Sequence, residues 1–195
     1  MSEIKQNTDT VAPVQHLVLH KTVVLVGMMG AGKTAVGRAL ALRLGVPFLD
    51  SDAEIESAAN MTIPEIFERD GEPFFRAKES QVIGRLLDEE KGILSTGGGA
   101  FLSEQNRRMI TERGVSVWLN ADLNVLWNRV KHKDTRPLLR TDDPYATLRG
   151  IYEARVPVYQ QADLTVTSDG EISIDNMVGR VVEALLKRPD VLEQK

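Results

Sequence analysis

The chain has 195 residues, of which 42% are hydrophobic and 27% are charged. This length predicts one domain, since typical domains contain about 100–200 residues. The absence of cysteine excludes a disulfide scaffold, a cysteine-ligated zinc site and a thiol nucleophile. The 24 Lys and Arg residues against 28 Asp and Glu give a formal net charge of −4, whereas proteins that bind duplex nucleic acid are usually basic.

The hydropathy pattern and the amino terminus bear on location. No apolar run approaches the roughly 18–20 residues that cross a bilayer. Residues 1–15 lack the basic start and the apolar stretch of a signal peptide. We therefore expect a cytoplasmic protein whose partners include neither a membrane nor a nucleic acid. We also expect a monomer, because no candidate interface stands out in the sequence.

The amino-terminal residues are polar, and we expect a flexible extension over 1–20 before a single domain over 21–190. Residues 22–26 form a continuous apolar run, which is typical of a strand buried on both faces of a parallel sheet. Apolar residues spaced by four over 33–44, followed by a glycine at 45, predict the first helix.

Strands and helices continue to alternate along the chain. The further predicted strands are 46–49, 93–95, 115–119 and 164–167, and the further helices are 62–71, 72–89, 103–113, 122–130, 144 onward and 174–187. Residues 131–143 show neither period and are predicted to form a loop, and Pro157 is expected to bend or end the helix that starts at 144. This alternation predicts an α/β fold with a parallel sheet and right-handed connections.

The segment 27–34 reads GMMGAGKT and lies between the first strand and the first helix. It fits G-x-x-x-x-G-K-[ST], in which glycines let backbone N–H groups converge on one oxyanion and the helix N-terminus adds positive charge. A chance glycine turn is the alternative, but such a turn does not require a strand before it and a helix after it. We expect this segment to bind nucleotide phosphates through Gly30, Ala31, Gly32, Lys33, Thr34 and Ala35.

Within this loop, Lys33 supplies a full charge for the β- and γ-phosphates, and Thr34 offers a hydroxyl to Mg²⁺. The loop alone does not define the reaction. A GTPase switch is disfavoured because D-x-x-G and N-K-x-D are both absent. A motor ATPase is disfavoured because such proteins normally have an apolar strand that ends in an aspartate at the Mg²⁺ position. The strand at 93–95 ends in Ser95-Thr96 instead.

Acidic and basic side chains that suit an acceptor substrate follow the next segments. Asp50 and Asp52 are two apart at the end of a strand, so on an extended segment both carboxylates face the crevice at the strand ends. One of them could hold Mg²⁺ through water while the other accepts a proton from an attacking hydroxyl. The alternative is a helix N-cap, which explains one aspartate better than two.

Arg76 and Glu79 are three apart on a predicted helix and therefore share a face. They form either a surface ion pair or an arginine that is oriented toward an anionic substrate. Glycines 97–99 follow a strand, and three in a row suggest a close approach of the backbone to a ligand. Residues 129–155 carry 7 basic and 4 acidic side chains, a local charge of +3, and form either a loop that closes over a triphosphate or an ordinary solvated loop.

The ordered set GMMGAGKT, DSD, FFRAKE, GGG, TRPLL and YEARVPVY resembles the shikimate kinases over 22–186. The resemblance implies a three-layer αβα fold with a five-stranded parallel sheet, of the P-loop NTPase and nucleoside-monophosphate-kinase type, with a mobile lid at about 131–143. It implies transfer of the γ-phosphate of ATP to the 3-hydroxyl of shikimate, with Mg²⁺, on the pathway to chorismate and the aromatic amino acids.

The resemblance also implies roles for individual residues. On the donor side it places Lys33 and the lid residue Arg136 on ATP phosphates, Thr34 and Asp50 on Mg²⁺ (the latter through water), and Arg129 near the adenine. On the acceptor side it implies the substrate-binding residues Asp52, Arg76, Gly98 and Arg155, with Asp52 also the candidate base and the two arginines on the carboxylate.

Two other functions stay open at this point. A related kinase could use gluconate or a nucleoside monophosphate as acceptor, since two arginines suit a carboxylate or a phosphate equally. A nucleotide-binding regulatory protein that has lost catalysis would be expected to lack Lys33, Asp52 or the lid arginines, and all of them are present.

Overall fold

The computed structural model describes residues 16–133 and 136–195. Its strands are β1 (Leu17–Leu19), β2 (Thr22–Val26), β3 (Phe48–Asp50), β4 (Ile93–Ser95), β5 (Gly114–Ala121), β6 (Leu164–Ser168) and β7 (Leu192–Gln194). Its α-helices are α1 (Lys33–Leu44), α2 (Ser51–Ala59), α3 (Ile63–Asp70), α4 (Glu72–Glu89), α5 (Glu104–Arg113), α6 (Leu123–Val130), α7 (Pro144–Tyr159) and α8 (Ile174–Leu186).

Five parallel strands form the central sheet in the order β3-β4-β2-β5-β6. Every residue of β2 is buried, as the continuous apolar run at 22–26 predicts. Helices cover the sheet, and their inward side chains form one hydrophobic core with those of the strands. The predicted α/β fold with a five-stranded parallel sheet is therefore confirmed.

The strand order places three chain segments side by side at one edge of the sheet. β2 runs into the phosphate loop at 27–34, β3 ends at Asp50, and β4 leads into glycines 97–99. Because β3, β4 and β2 are adjacent and parallel, their carboxyl ends open on the same crevice.

Local capping explains where several helices begin. Thr62 and Glu65 form a reciprocal capping box at the start of α3, and Asp143 accepts a hydrogen bond from the backbone of Ala146 at the start of α7. Pro157 does not end α7, which continues to Tyr159, because a proline in the last turn removes only one backbone donor. Over the described ranges, we find no helix of sufficient length and apolarity to span a bilayer.

Two short strands lie beyond the predicted limits of the domain. Residues 17–19 form β1, which pairs antiparallel with β7, and both strands lie outside the range 21–190. Leu192 is fully buried, so the carboxyl-terminal residues complete the core rather than leave it. Residues 1–15, over which the extension was also predicted, lie outside the described residues.

We expect Leu192→Ala to lower the free energy of unfolding by about 2–5 kcal/mol, because it removes a fully buried leucine from the terminal strand pair. Urea unfolding followed by circular dichroism measures the change. Leu42→Ala is the matched control, since that side chain is 84% exposed on α1 and should change stability little. Equal effects of the two substitutions would contradict the role of β7 in the core.

Candidate active site

One cavity of about 1160 Å³ lies at the crevice formed by the strand ends. It exceeds the roughly 300–1000 Å³ that is usual for a single small ligand, so it has room for two. The structure brings every residue that was predicted for the site to this cavity: Gly30, Ala31, Gly32, Lys33, Thr34, Ala35, Asp50, Asp52, Arg76, Gly98, Arg129, Arg136 and Arg155.

The phosphate loop adopts a backbone conformation that requires glycine at its tip. Gly30 and Gly32 have φ angles of +81° and +92°, and Gly32 is the N-cap of α1. A Cβ at Gly30 would lie 2.8 Å from a methyl carbon of Val130, so a side chain there would be both strained and crowded. The loop thus leads directly into a helix N-terminus, which favours an anion.

Lys33 lies across this loop. Its Nζ donates to the carbonyl oxygens of Gly27 at 2.7 Å and Met28 at 2.9 Å. Burial lowers the pKa of Lys33 to about 8, and the positive charge of Arg136 acts in the same direction while Asp52 opposes it. The two carbonyl oxygens are neutral acceptors with only a partial negative charge. A bound polyphosphate would add full negative charge next to the Lys33 ammonium group and favour its protonated form.

The two aspartates reach the cavity by a different geometry from the predicted one. The extended segment ends at Asp50, which caps α2 by accepting a hydrogen bond from the N–H of Ala53 at 3.1 Å, and Asp52 lies in the first helical turn. The premise that both carboxylates project from one extended strand is therefore wrong, because the chain turns into a helix at residue 51. Both side chains nonetheless line the cavity.

Asp52 carries the most perturbed carboxyl of the site. Burial raises its pKa to about 6, and the negative charges of Asp50 and Glu79 add to the rise, whereas Lys33 opposes it. Its Oδ1 is buried and has no hydrogen-bond partner. A carboxylate in this state is a better proton acceptor near neutral pH than an exposed aspartate.

Arg76 and Glu79 form a pair beneath the cavity rather than on the surface. Arg76 Nη1 donates to Glu79 Oε1 at 2.9 Å, and the Glu79 side chain is only 1% exposed. Burial raises the pKa of Glu79, while the hydrogen bond and the charge of Arg76 oppose that rise. The guanidinium is thereby held in one orientation beside the cavity, which favours the second of the two interpretations made from the sequence.

Glycines 97–99 each leave room for one functional side chain. In chain order, a Cβ on them would lie 2.8 Å from Asp52 Oδ1, 2.8 Å from Arg155 Nη1 and 2.5 Å from Arg76 Nη2. All three distances are shorter than ordinary contacts, so alanine at any of these positions would displace a charged group. The glycine triplet is thus the surface against which the aspartate and the two arginines are assembled.

The lid side contributes further basic groups. Arg129 donates to the carbonyl of Gly30 at 3.0 Å and to Oγ of Ser168 at 3.3 Å, which ties α6 to the phosphate loop. Arg136 lines the cavity just before a short 3₁₀ turn, Pro137–Leu139. Thr135 of the TRPLL motif lies outside the described residues, and the mobility of the lid stays a prediction.

The sequence did not single out the apolar part of the cavity wall. Ile63, Phe67 and Phe75 line it, and the two phenylalanine rings lie 4.7 Å apart. Ile172 and Met177 also line the cavity. Four of these residues lie on α3, α4 and α8, Ile172 precedes α8, and all five are apolar types that are equally common in a core, so no sequence signal separates them from the interior.

These features define a class of protein. A phosphate loop between a central parallel strand and its helix, next to a second pocket with two arginines and a buried aspartate, is the arrangement of a P-loop kinase that phosphorylates a small anionic molecule. Comparison with known proteins narrows the class. The family model described as "Shikimate kinase" matches residues 29–186, and the chain belongs to the shikimate kinase family.

Individual relatives agree with this assignment. A shikimate kinase of Ruegeria pomeroyi is 72% identical over 99% of both chains, and one of Cereibacter sphaeroides is 70% identical over 90% of this chain and 87% of the relative. The structure of the Acinetobacter baumannii shikimate kinase in complex with shikimate has a TM-score of 0.80 and 38% identity, covering 86% of this chain and 93% of that one. A gluconokinase structure from Sinorhizobium meliloti, 20% identical with a TM-score of 0.58, shares the fold.

We expect Gly30→Ala to weaken the binding of a non-hydrolysable ATP analogue by at least about tenfold, because a Cβ there disturbs a backbone that must hydrogen-bond phosphate oxygens. Isothermal titration calorimetry measures the affinity. Gly45→Ala is the control, since Gly45 also has a positive φ, of +65°, but has no atom within 4 Å of its Cβ position. Both variants should lose some stability, and loss of ATP binding in both would contradict the interpretation.

Proposed function

We propose that this chain transfers the γ-phosphate of ATP to the 3-hydroxyl of shikimate, forming shikimate 3-phosphate and ADP on the route to chorismate and the aromatic amino acids. The observation that carries the proposal is the meeting of two anion-binding pockets in one cavity, one built by the loop at 27–34 and one by Asp52, Arg76 and Arg155 around the glycine triplet. Membership of the family supplies the identity of the acceptor.

On the donor side, the backbone N–H groups of the loop and Lys33 bind the phosphates of ATP, and Arg136 neutralises charge that develops during transfer. A hydroxyl and a carboxylate, from Thr34 and Asp50, are hard oxygen ligands that line the cavity together. They fit Mg²⁺, which usually takes one or two protein ligands and completes its shell with water and phosphate oxygens. When bound, Mg²⁺ would neutralise phosphate charge, with Asp50 contacting it through water.

On the acceptor side, Arg76 and Arg155 bind the carboxylate of shikimate, and the backbone of Gly98 adds a contact. Planar guanidinium groups suit this task because each can meet a carboxylate through two parallel N–H donors. Ion pairs to Glu79 at 2.9 Å and to Glu72 at 3.5 Å hold the Arg76 guanidinium beside the acceptor. Asp52 binds the ring hydroxyls and takes the proton of the attacking one.

The remaining parts of the proposal concern the cellular context. We propose a monomer that acts in the cytoplasm on small molecules, without a nucleic-acid or membrane partner. The formal net charge of −4 supports the absence of a nucleic-acid partner.

A coupled assay of ADP release with a panel of acceptors tests the function. We expect turnover with shikimate, and little above background with gluconate or with nucleoside monophosphates, because the chain belongs to the shikimate kinase family. Turnover with a nucleotide acceptor alone would overturn the proposal.

We expect opposite pH limits for the two substrates. As pH falls through about 6, Asp52 takes up a proton, so kcat/KM for shikimate at saturating ATP should fall. As pH rises through about 8, Lys33 loses its proton, so kcat/KM for ATP should fall. Steady-state kinetics between pH 5 and 9 measure both limits.

Asp52→Asn provides the control for these profiles. It should lower turnover at least about a hundredfold, because a general base is lost, and should remove the acid limit for shikimate. It should retain an alkaline limit for ATP, because Lys33 is still present, but at a lower pH, because Asp52 no longer raises the pKa of Lys33. Near-normal turnover in this variant would exclude Asp52 as the base.

A further inference from the structure

Tyr159 is a fully buried side chain that the donor and acceptor roles leave without a task. It is the last residue of α7, and its ring stacks between those of Trp118 and Phe101, with centroid separations of 6.1 and 6.5 Å. Its hydroxyl donates to the carbonyl oxygen of Gly98 at 2.6 Å. A core position would be filled equally well by phenylalanine, so the hydroxyl calls for a separate explanation.

The hydrogen bond acts on the middle of the glycine triplet. A peptide unit is planar and trans, so fixing the carbonyl of Gly98 also fixes the N–H of Gly99 in the opposite direction. The glycine backbone has no side chain to restrict it, and this external donor removes part of its conformational freedom. The loop that supports the acceptor pocket is therefore held from the core side.

The same helix carries one of the two arginines. Arg155 precedes Tyr159 by four residues on α7, so the two lie on one face of the helix, one turn apart. A Cβ on Gly98 would lie 2.8 Å from Arg155 Nη1. The helix thus contacts one glycine twice, through the tyrosine hydroxyl at its carbonyl and through the guanidinium at its Cα.

We propose that Tyr159 is a positioning residue for the acceptor carboxylate, and that its hydroxyl joins α7 to Gly98 so that Arg155 and the glycine backbone are preset at the distance the carboxylate needs. This inference rests on the proposed function. Tyr159 acts through the groups that bind the substrate and does not touch the reacting atoms.

The hydroxyl is in the protonation state that this role needs. Burial raises the pKa of Tyr159 above its ordinary value, and the positive charge of Arg155 only partly opposes that rise. The group is therefore a hydrogen-bond donor throughout the pH range in which the kinase would be assayed.

Tyr159→Phe is the direct test, because it keeps the stacked ring and removes only the donor. We expect KM for shikimate to rise about 5- to 20-fold, since a partly buried acceptor loses its donor and the loop loses its fixed orientation. KM for ATP should stay within about twofold. Tyr152→Phe, which removes a hydroxyl from the same helix away from the cavity lining, is the control and should leave both values unchanged.

A double-mutant cycle separates positioning from general stability. If Tyr159 acts through Arg155, then Tyr159→Phe should reduce kcat/KM for shikimate much less in an Arg155→Ala background than in the wild type. If the two substitutions lowered kcat/KM for shikimate by independent factors, so that their free-energy effects simply added, the proposal would be overturned. A fall in kcat with equal rises of both KM values and a lowered Tm would also overturn it, because that pattern indicates a structural role.

Failure of this inference can be told apart from failure of the proposed function. A wild-type chain that does not phosphorylate shikimate would contradict the function itself. A wild-type chain that is active with shikimate, together with a Tyr159→Phe variant whose KM for shikimate is unchanged, would contradict only the positioning role.

Discussion

The close approach of charged groups to the glycine triplet is the constraint on which the rest of the site depends. Three charged side chains from α2, α4 and α7 converge on 97–99 at distances that leave no space for a Cβ. Because β4 lies between β2 and β3, the triplet is also next to the phosphate loop. The sheet order and the glycines together decide that donor and acceptor pockets form one cavity.

This assembly keeps several charges out of water, and each shift in pKa reflects that. Lys33 loses basicity, and Asp52 and Glu79 lose acidity, all mainly because of burial. Burial of charges usually opposes stability. Here the same low-dielectric surroundings strengthen electrostatic contact with a polyphosphate and raise the affinity of the Asp52 carboxylate for a proton.

The fold and the phosphate loop could be predicted because their signals are local. A buried strand, a glycine loop and a helix are contiguous at 22–44, and each has its own sequence pattern. The family could be predicted because six motifs occur in order, and the family model that matches residues 29–186 confirms that prediction. The geometry of Asp50 and Asp52 could not be deduced correctly, since the identical residues fit both an extended segment and a capped helix. The burial of Glu79 could not be predicted either, because an i,i+3 ion pair has the same sequence spacing on a surface and in a core.

Long-range pairing set the other limit on prediction. β1 and β7 have three residues each and are separated by almost the whole chain, so neither has a periodic signal strong enough to indicate a strand. Tyr159 shows the same limit at the scale of one group, since helical spacing predicts its burial but not the carbonyl that its hydroxyl meets.

The antiparallel pairing of β1 with β7 has a consequence for protein engineering. Backbone hydrogen bonds join residue 16 to residue 195 in both directions, with His16 N to Lys195 O at 3.3 Å and Lys195 N to His16 O at 2.8 Å. In a variant without residues 1–15, residues 16 and 195 can be connected by a short peptide linker. The scaffold is therefore suited to circular permutation, with new ends opened at an exposed turn while the central sheet keeps its strand order.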